Sequence, residues 1–80
     1  TLQNKNEKQK IEAILKEVLT FDLMKSSYIS KTGSNYFIVA YVSAQDIDEI
    51  GFEQLEYLKK ETIVALKKNY RYVMFEIALA

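Results

Sequence analysis

The chain of 80 residues contains no cysteine, histidine, proline or tryptophan, and it has only two glycines. The lack of cysteine excludes a disulfide framework and a thiolate metal site. The lack of histidine excludes the serine, cysteine and metal mechanisms that depend on an imidazole. Two glycines are too few for a phosphate-binding loop. Because no nucleophile and base pair can be named, we expect no enzyme, no catalytic residue and no cofactor.

The chain has neither an excess of charge of one sign nor a long apolar run. The chain has 11 basic and 11 acidic residues, and no basic stripe accompanies its aromatic side chains. Nucleic-acid binding depends on neutralising phosphates, so we expect no nucleic-acid partner. No apolar run approaches the roughly 20 residues that cross a bilayer, so the chain itself is not expected to be transmembrane.

The length and the 49% hydrophobic content predict one folded domain over residues 1–80, with 1–6 as a linker. The sequence begins at Thr1 rather than at methionine, so we expect a fragment of a longer protein. A domain this small buries only about 60% of the surface that its unfolded chain exposes. Association with another chain would therefore stabilise it.

Hydrophobic periodicity predicts the order α-β-β-α-β. An apolar residue recurs every three or four positions from Ile11 to Leu19, which indicates a first helix. A strand is predicted to begin near Leu23, and residues 32–35 supply the hairpin turn to a second strand over 36–43. A single second helix is predicted over 47–69, and the third strand then runs to the end of the chain.

This order predicts an α+β fold in which a three-stranded sheet has two helices on one face. A β-helix-β crossover is almost always right-handed, so both helices must cover the same face to bury their apolar stripes. We interpret the arrangement as half of a ferredoxin-like fold with a split βαβ unit. The other face of the sheet is then left bare.

The second and third strands are apolar on both sides, although successive side chains of a strand point to opposite faces. Two helices cover one face, so the second cover is predicted to come from another chain or another domain, with association through the bare face or a sheet edge. We therefore expect a homodimer. The predicted interface residues on one face are Tyr36, Ile38, Ala40, Tyr72, Met74 and Glu76. The alternative set is Phe37, Val39, Tyr41, Val73, Phe75 and Ile77.

Acidic residues at the start of the second helix are the candidate ligands for a hard divalent cation. They are Asp46, Asp48, Glu49 and Glu53, with Glu76 as a further candidate on the last strand. Acids at a helix start also complement the helix dipole, and the spacing is not that of a calcium loop. We favour the dipole interpretation and predict no metal site, which leaves a divalent cation partner open.

Six tyrosines suggest an alternative function, since exposed aromatics on a sheet stack with bases in some single-strand RNA binders. A KH-like or ribosome-associated RNA-binding module is thus the alternative. The Gly-x-x-Gly clamp of KH domains is missing, and tyrosines are also favoured at protein interfaces.

Four features of the chain occur together: the helix over 11–19, the segment Phe21-Asp22-Leu23-Met24, the hairpin over 30–38 and the long second helix before a final strand. In these features the chain resembles the C-terminal cytoplasmic domain of cation diffusion facilitator transporters. Within the hairpin, Lys31, Gly33, Phe37 and Ile38 match a basic residue, a glycine and an aromatic-aliphatic strand that recur in the family. The resemblance covers nearly the whole chain.

The resemblance implies a dimerisation domain of a divalent cation efflux protein on the cytoplasmic side of the cell membrane. The partner would then be a second copy, together with a transmembrane domain of the same chain. The family often binds zinc here through histidines and carboxylates, but this sequence has Tyr41, Gln54 and Glu76 at such places. The resemblance therefore implies dimerisation without the histidine metal site.

Overall fold

A computed structural model describes residues 5–19 and 23–80 as an α+β fold. Within these residues three helices and three strands follow one another in the order α-β-β-α-α-β. Their bounds are α1 Lys5–Val18, β1 Ser26–Thr32, β2 Asn35–Val42, α2 Ala44–Ile50, α3 Phe52–Lys67 and β3 Tyr72–Leu79.

The sheet has the strand order β1-β2-β3, so β2 is central and both β1 and β3 are edge strands. β1 pairs with β2 in antiparallel register, joined by a turn at Gly33 and Ser34. β3 pairs with β2 in parallel register, with Ile38 opposite Phe75. The α+β class and the three-stranded sheet are therefore confirmed and remain compatible with half of a ferredoxin-like fold. The predicted split of the βαβ unit is wrong, because β2 and β3 are direct neighbours.

The core lies between the helices and one face of the sheet. The side chains of Ile11, Leu15 and Leu66 are fully buried there, because the apolar stripes of α1 and α3 pack against the strands. Ile38 and Phe75 reach the same cluster from β2 and β3. This arrangement confirms that helices cover one face of the sheet. Each fully buried Leu or Ile contributes about 1.5–3 kcal/mol to folding.

Two element boundaries differ from the sequence prediction. β1 begins at Ser26 rather than near Leu23, because the Leu23 side chain is buried in the core before the strand starts. α1 begins at Lys5, so residues 5 and 6 of the predicted linker are helical. The remaining linker residues, 1–4, lie outside the described residues.

The predicted single helix over 47–69 is in fact two helices that meet at Gly51. Gly51 has φ 89° and ψ 154°, a backbone conformation that is essentially restricted to glycine. α2 also begins earlier than predicted, since the Ser43 hydroxyl caps it by accepting a hydrogen bond from the Asp46 backbone N–H at 3.1 Å.

Replacing Gly51 by alanine is expected to destabilise the fold by about 1–3 kcal/mol. The cause is backbone strain alone, because a Cβ at Gly51 would meet no atom within 4 Å. Chemical denaturation followed by circular dichroism measures the loss. Gly33→Ala is the matched control, because a Cβ there also meets nothing and its φ of 63° is left-handed, which costs about 1–2 kcal/mol. A Gly51→Ala variant as stable as the wild type would contradict the strain argument.

Candidate functional site: the open face of the sheet

The sheet face that the helices do not cover is the candidate functional site, here called the open face. The strand pairing assigns twelve side chains to it: Ser26, Tyr28, Ser30, Thr32, Asn35, Phe37, Val39, Tyr41, Tyr72, Met74, Glu76 and Ala78. The large ones are accessible, with Tyr28 43%, Phe37 38%, Tyr72 49% and Met74 67% exposed. Such a continuous group of exposed aromatic and aliphatic side chains marks an interaction surface.

Val39 lies at the centre of the open face and is only 7% exposed, although it does not belong to the core cluster. The register places Tyr28 on one side of Val39 and Glu76 on the other. Tyr28 also meets Phe37 edge to face, with ring centroids 6.4 Å apart, a geometry that aromatic pairs favour. The open face is therefore a packed surface that is preformed for contact.

The electrostatic character of the open face is close to neutral. Glu76 is the single charged residue among its twelve members. Its Oε2 lies 2.6 Å from the Lys59 Nζ of α3, so its charge is compensated at the β3 edge. The Lys59 pKa is raised, chiefly by this hydrogen bond. At the other end of β3, the Arg71 guanidinium lies 5.5 Å from the centre of the Tyr72 ring.

Neither predicted set of interface residues shares one face. Tyr36, Ile38 and Ala40 are buried on the helix-covered face, whereas Tyr72, Met74 and Glu76 belong to the open face. The alternative set is divided in the same way, as Phe37, Val39 and Tyr41 belong to the open face and Val73, Phe75 and Ile77 to the covered one. The reason is the parallel register, which aligns Tyr36 with Val73 instead of with Tyr72.

Tyr28 was missed as a site residue, although a signal for it exists in the sequence. A two-residue turn at Gly33 and Ser34 pairs Thr32 with Asn35 and, counting back, Tyr28 with Val39. Directly paired residues lie on the same side of a sheet. The hairpin turn thus assigns Tyr28 to the face of Phe37 and Val39.

Tyr36 is held on the covered side at the hairpin end of the sheet. Its hydroxyl donates a hydrogen bond to the Glu7 carboxylate at 2.7 Å, and its ring meets Tyr70 edge to face at 4.7 Å. The Lys31 Nζ lies 5.4 Å from the same ring and 3.9 Å from Glu7. Burial, together with the hydrogen bond and the charge of Glu7, raises the pKa of Tyr36 to about 12. These contacts anchor α1 to the hairpin.

The Tyr36 hydroxyl is expected to make stability fall as pH rises from about 10 to 12. Its pKa is 10.0 without perturbation and about 12 when folded, so the folded state retains the proton longer. The stabilisation is complete below pH 10 and is lost as the hydroxyl ionises beside Glu7. Relative to Tyr36→Phe, the wild type should be more stable by about 1.5 kcal/mol at pH 8, because a hydrogen bond to a charged group is lost. This difference should shrink by pH 12.

Thermal melts of the two proteins between pH 8 and 12 measure that difference. Tyr57→Phe is the matched control, because the Tyr57 hydroxyl donates to Glu61 at 2.8 Å on the exposed surface of α3. At this exposed position water replaces the lost hydroxyl as the hydrogen-bond partner of Glu61, so the substitution should have little effect on stability. A difference between wild type and Tyr36→Phe that stays constant across the pH range would refute the role of Tyr36.

The acidic metal candidates do not converge. Among the described residues, no group of three or more histidine, cysteine, aspartate or glutamate side chains could hold a metal ion. Asp46 lies 3.5 Å from the Lys25 Nζ, and Glu49 accepts a hydrogen bond from Gln45 at 3.3 Å. Asp48 is on α2 and Glu53 is in the first turn of α3, while Glu76 is on β3.

Comparison with family models, with curated proteins and with solved structures found no match to this chain. The resemblance to cation diffusion facilitators therefore stays a prediction. In the part of the chain that the structure describes, no helix has the length and apolar character needed to cross a membrane.

Proposed function

We propose that this chain is a homodimerisation domain that pairs two copies through the open face of the sheet. The observation that carries the proposal is the exposure of Tyr28, Phe37, Tyr72 and Met74 side by side on a sheet that has helices only on its other side. Burying this face against a second copy removes the apolar side chains from water at about 25 cal/mol per Å².

The charge distribution supports pairing of identical faces. Two copies related by a twofold axis present the same surface to each other, so any uncompensated charge meets its like. Glu76 is the charged residue of the open face, and Lys59 compensates it. Little charge desolvation then opposes association over most of the face, because the Arg71 guanidinium beside Tyr72 lies at the end of the face.

The size of the face sets the expected strength of the dimer. Three strands of seven or eight residues make a face of roughly 14 by 26 Å. Stable interfaces bury about 800 Å² per partner, and the flat area of this face is roughly half of that. The isolated domain should therefore dimerise weakly, with dissociation constants in the micromolar range.

The family that fits this proposal is the cation diffusion facilitators, for which the chain would be the cytoplasmic dimerisation domain. The hairpin with Gly33, the final strand and the helix-covered sheet support it. A domain with weak affinity for itself still forms dimers when two copies are held in the same membrane assembly, because tethering raises the effective concentration of one copy around the other. The coding sequence before Thr1 tests this directly, since several apolar spans are expected there.

RNA binding has less support from the structure. None of the twelve open-face residues is lysine or arginine, and the cation described beside one of its exposed rings, Arg71 next to Tyr72, lies at one end of the face. Single-strand binders combine stacking with a positively charged groove. Micromolar binding of mixed single-stranded RNA at about 50 mM salt, lost in Tyr72→Ala, would favour the RNA alternative.

Charged substitutions on the open face are expected to weaken the dimer. Tyr28→Lys on β1 and Met74→Lys on β3 each place a charge on the face, and dimerisation would bring it close to the same charge of the partner. Each should weaken association at least about tenfold, a loss of about 1.4 kcal/mol. Sedimentation at several concentrations measures the constant.

Matched controls are available on α3. Tyr57→Lys and Val64→Lys introduce the same changes of charge at side chains that are 55% exposed on the helical side. They should leave association unchanged. If a substitution on one strand alone weakens the dimer, the contact is at that sheet edge instead of the face. A wild-type chain that stays monomeric at high micromolar concentration would refute the proposal.

Zinc is expected to leave the melting temperature unchanged. The sequence contains no histidine or cysteine, and the carboxylates of Asp46 and Glu76 are already engaged by lysines. Carboxylates alone favour hard cations and bind them weakly unless a loop fixes their positions. Thermal melts with micromolar zinc and with a chelator measure the effect. A rise of several degrees, reversed by the chelator, would show that a metal site had been overlooked.

A further inference from the structure

An open groove of about 480 Å³ lies at the end of the sheet where β2 and β3 begin. Its volume falls within the range of about 300–1,000 Å³ that small-molecule sites occupy. Three strands and the end of α3 contribute to it. The side chains that matter for binding are Ser30, Thr32, Asn35, Lys67, Arg71 and Tyr72.

The groove carries two uncompensated positive charges. Lys67 and Arg71 line it, and none of its ten lining residues is aspartate or glutamate. The lysines of the described ion pairs are Lys25, Lys31 and Lys59, so neither cation of the groove is paired with a described carboxylate. The carboxyl end of α3 carries a partial negative charge, so any attraction for an anion comes from these two side chains.

The remaining wall of the groove has two different characters. Ser30, Thr32 and Asn35 offer hydroxyl and amide groups that donate hydrogen bonds to oxygen atoms. Phe37, Tyr72 and Met74 offer apolar and aromatic surface. A small inorganic anion would contact the two cations but leave the apolar wall exposed to water. An uncharged aromatic ligand would contact the apolar wall but not the two cations.

We propose that this groove binds an organic anion in which a phosphate or carboxylate is joined to a flat aromatic ring. Lys67 and Arg71 contact the anionic group, with the guanidinium suited to bind two of its oxygens at once. Phe37, Tyr72 and Met74 contact the ring. The hydroxyl and amide side chains complete the hydrogen bonds of the anionic oxygens.

The groove overlaps with the proposed dimer interface, but its test can be made independent of dimerisation. Phe37, Tyr72 and Met74 belong to both the groove and the open face, so ligand binding and dimerisation are linked. Tyr41 belongs to the open face, lies at the other end of β2 and does not line the groove. Binding is therefore measured in the Tyr41→Lys background, which places a charge on the proposed dimer interface away from the groove, so that a failure to dimerise has no bearing on the groove.

The experiment is a titration of this protein with 2-naphthyl phosphate, 2-naphthoate, 2-naphthol and inorganic phosphate, followed by amide NMR shifts. One or both naphthyl anions should bind and shift the amides of Ser30, Thr32 and Arg71. Which of the two binds tighter distinguishes phosphate from carboxylate. Naphthol and inorganic phosphate should each bind at least about tenfold more weakly, because each lacks half of the recognised features.

Substitutions test the roles of the two cations. Lys67→Gln and Arg71→Gln should each weaken naphthyl anion binding about tenfold, the effect of losing a hydrogen bond between charged groups. Lys68→Gln is the matched control, because Lys68 is the adjacent lysine and does not line the groove. Arg71→Lys keeps the charge but loses the two-oxygen contact of the guanidinium, so its affinity should lie between those of the unsubstituted Arg71 protein and Arg71→Gln.

Three outcomes would overturn the proposal. The first is an absence of binding by both naphthyl anions. The second is equal binding by naphthol or by inorganic phosphate. The third is a loss of affinity in Lys68→Gln as large as in Lys67→Gln and Arg71→Gln.

Discussion

The parallel pairing of β2 with β3 is the constraint on which the rest of the structure depends. Parallel neighbours need a crossover, and α2 and α3 supply it on the side where α1 also packs. The register of this pair places Val73, Phe75 and Ile77 against the helices and leaves Tyr72 and Met74 on the open face. The core, the candidate interface and the anion groove all follow from that single register.

The two faces of the sheet differ in composition and in environment, since five of the twelve open-face side chains are serine, threonine, asparagine or glutamate, against two polar side chains among the eleven paired residues of the covered face. Ile38 on the covered face is fully buried, whereas Met74 on the open face is 67% exposed. The sequence around them does not assign the two residues to different faces, because both are apolar and both lie in apolar strands. The proposed dimer would cover the open face, and the low charge of this face would favour such an association.

Tyr36 and Gly51 show how local features support this arrangement. The hydrogen bond from Tyr36 to Glu7 joins α1 to the hairpin, so the helix that covers the core is tied to the central strand. Gly51 turns the chain between α2 and α3, so that α3 can pack on the sheet while α2 follows directly from β2. Neither residue contacts the open face, yet both stabilise the sheet that presents it.

The sequence by itself determined the features that depend on near neighbours in the chain. Three such features are local: the apolar stripe of α1, the turn at Gly33 and Ser34, and the alternating direction of successive side chains along β2. The short turn also determines the β1–β2 register. Only the tertiary structure decided the β2–β3 register and the position of Arg71 and Lys67 beside the open face. No turn joins β2 to β3, and Tyr72, Val73, Met74 and Phe75 are all apolar. The strand β3 could therefore place either Tyr72 and Met74 or Val73 and Phe75 on the covered face and bury apolar side chains in both cases. Packing against the helices selects the second alignment.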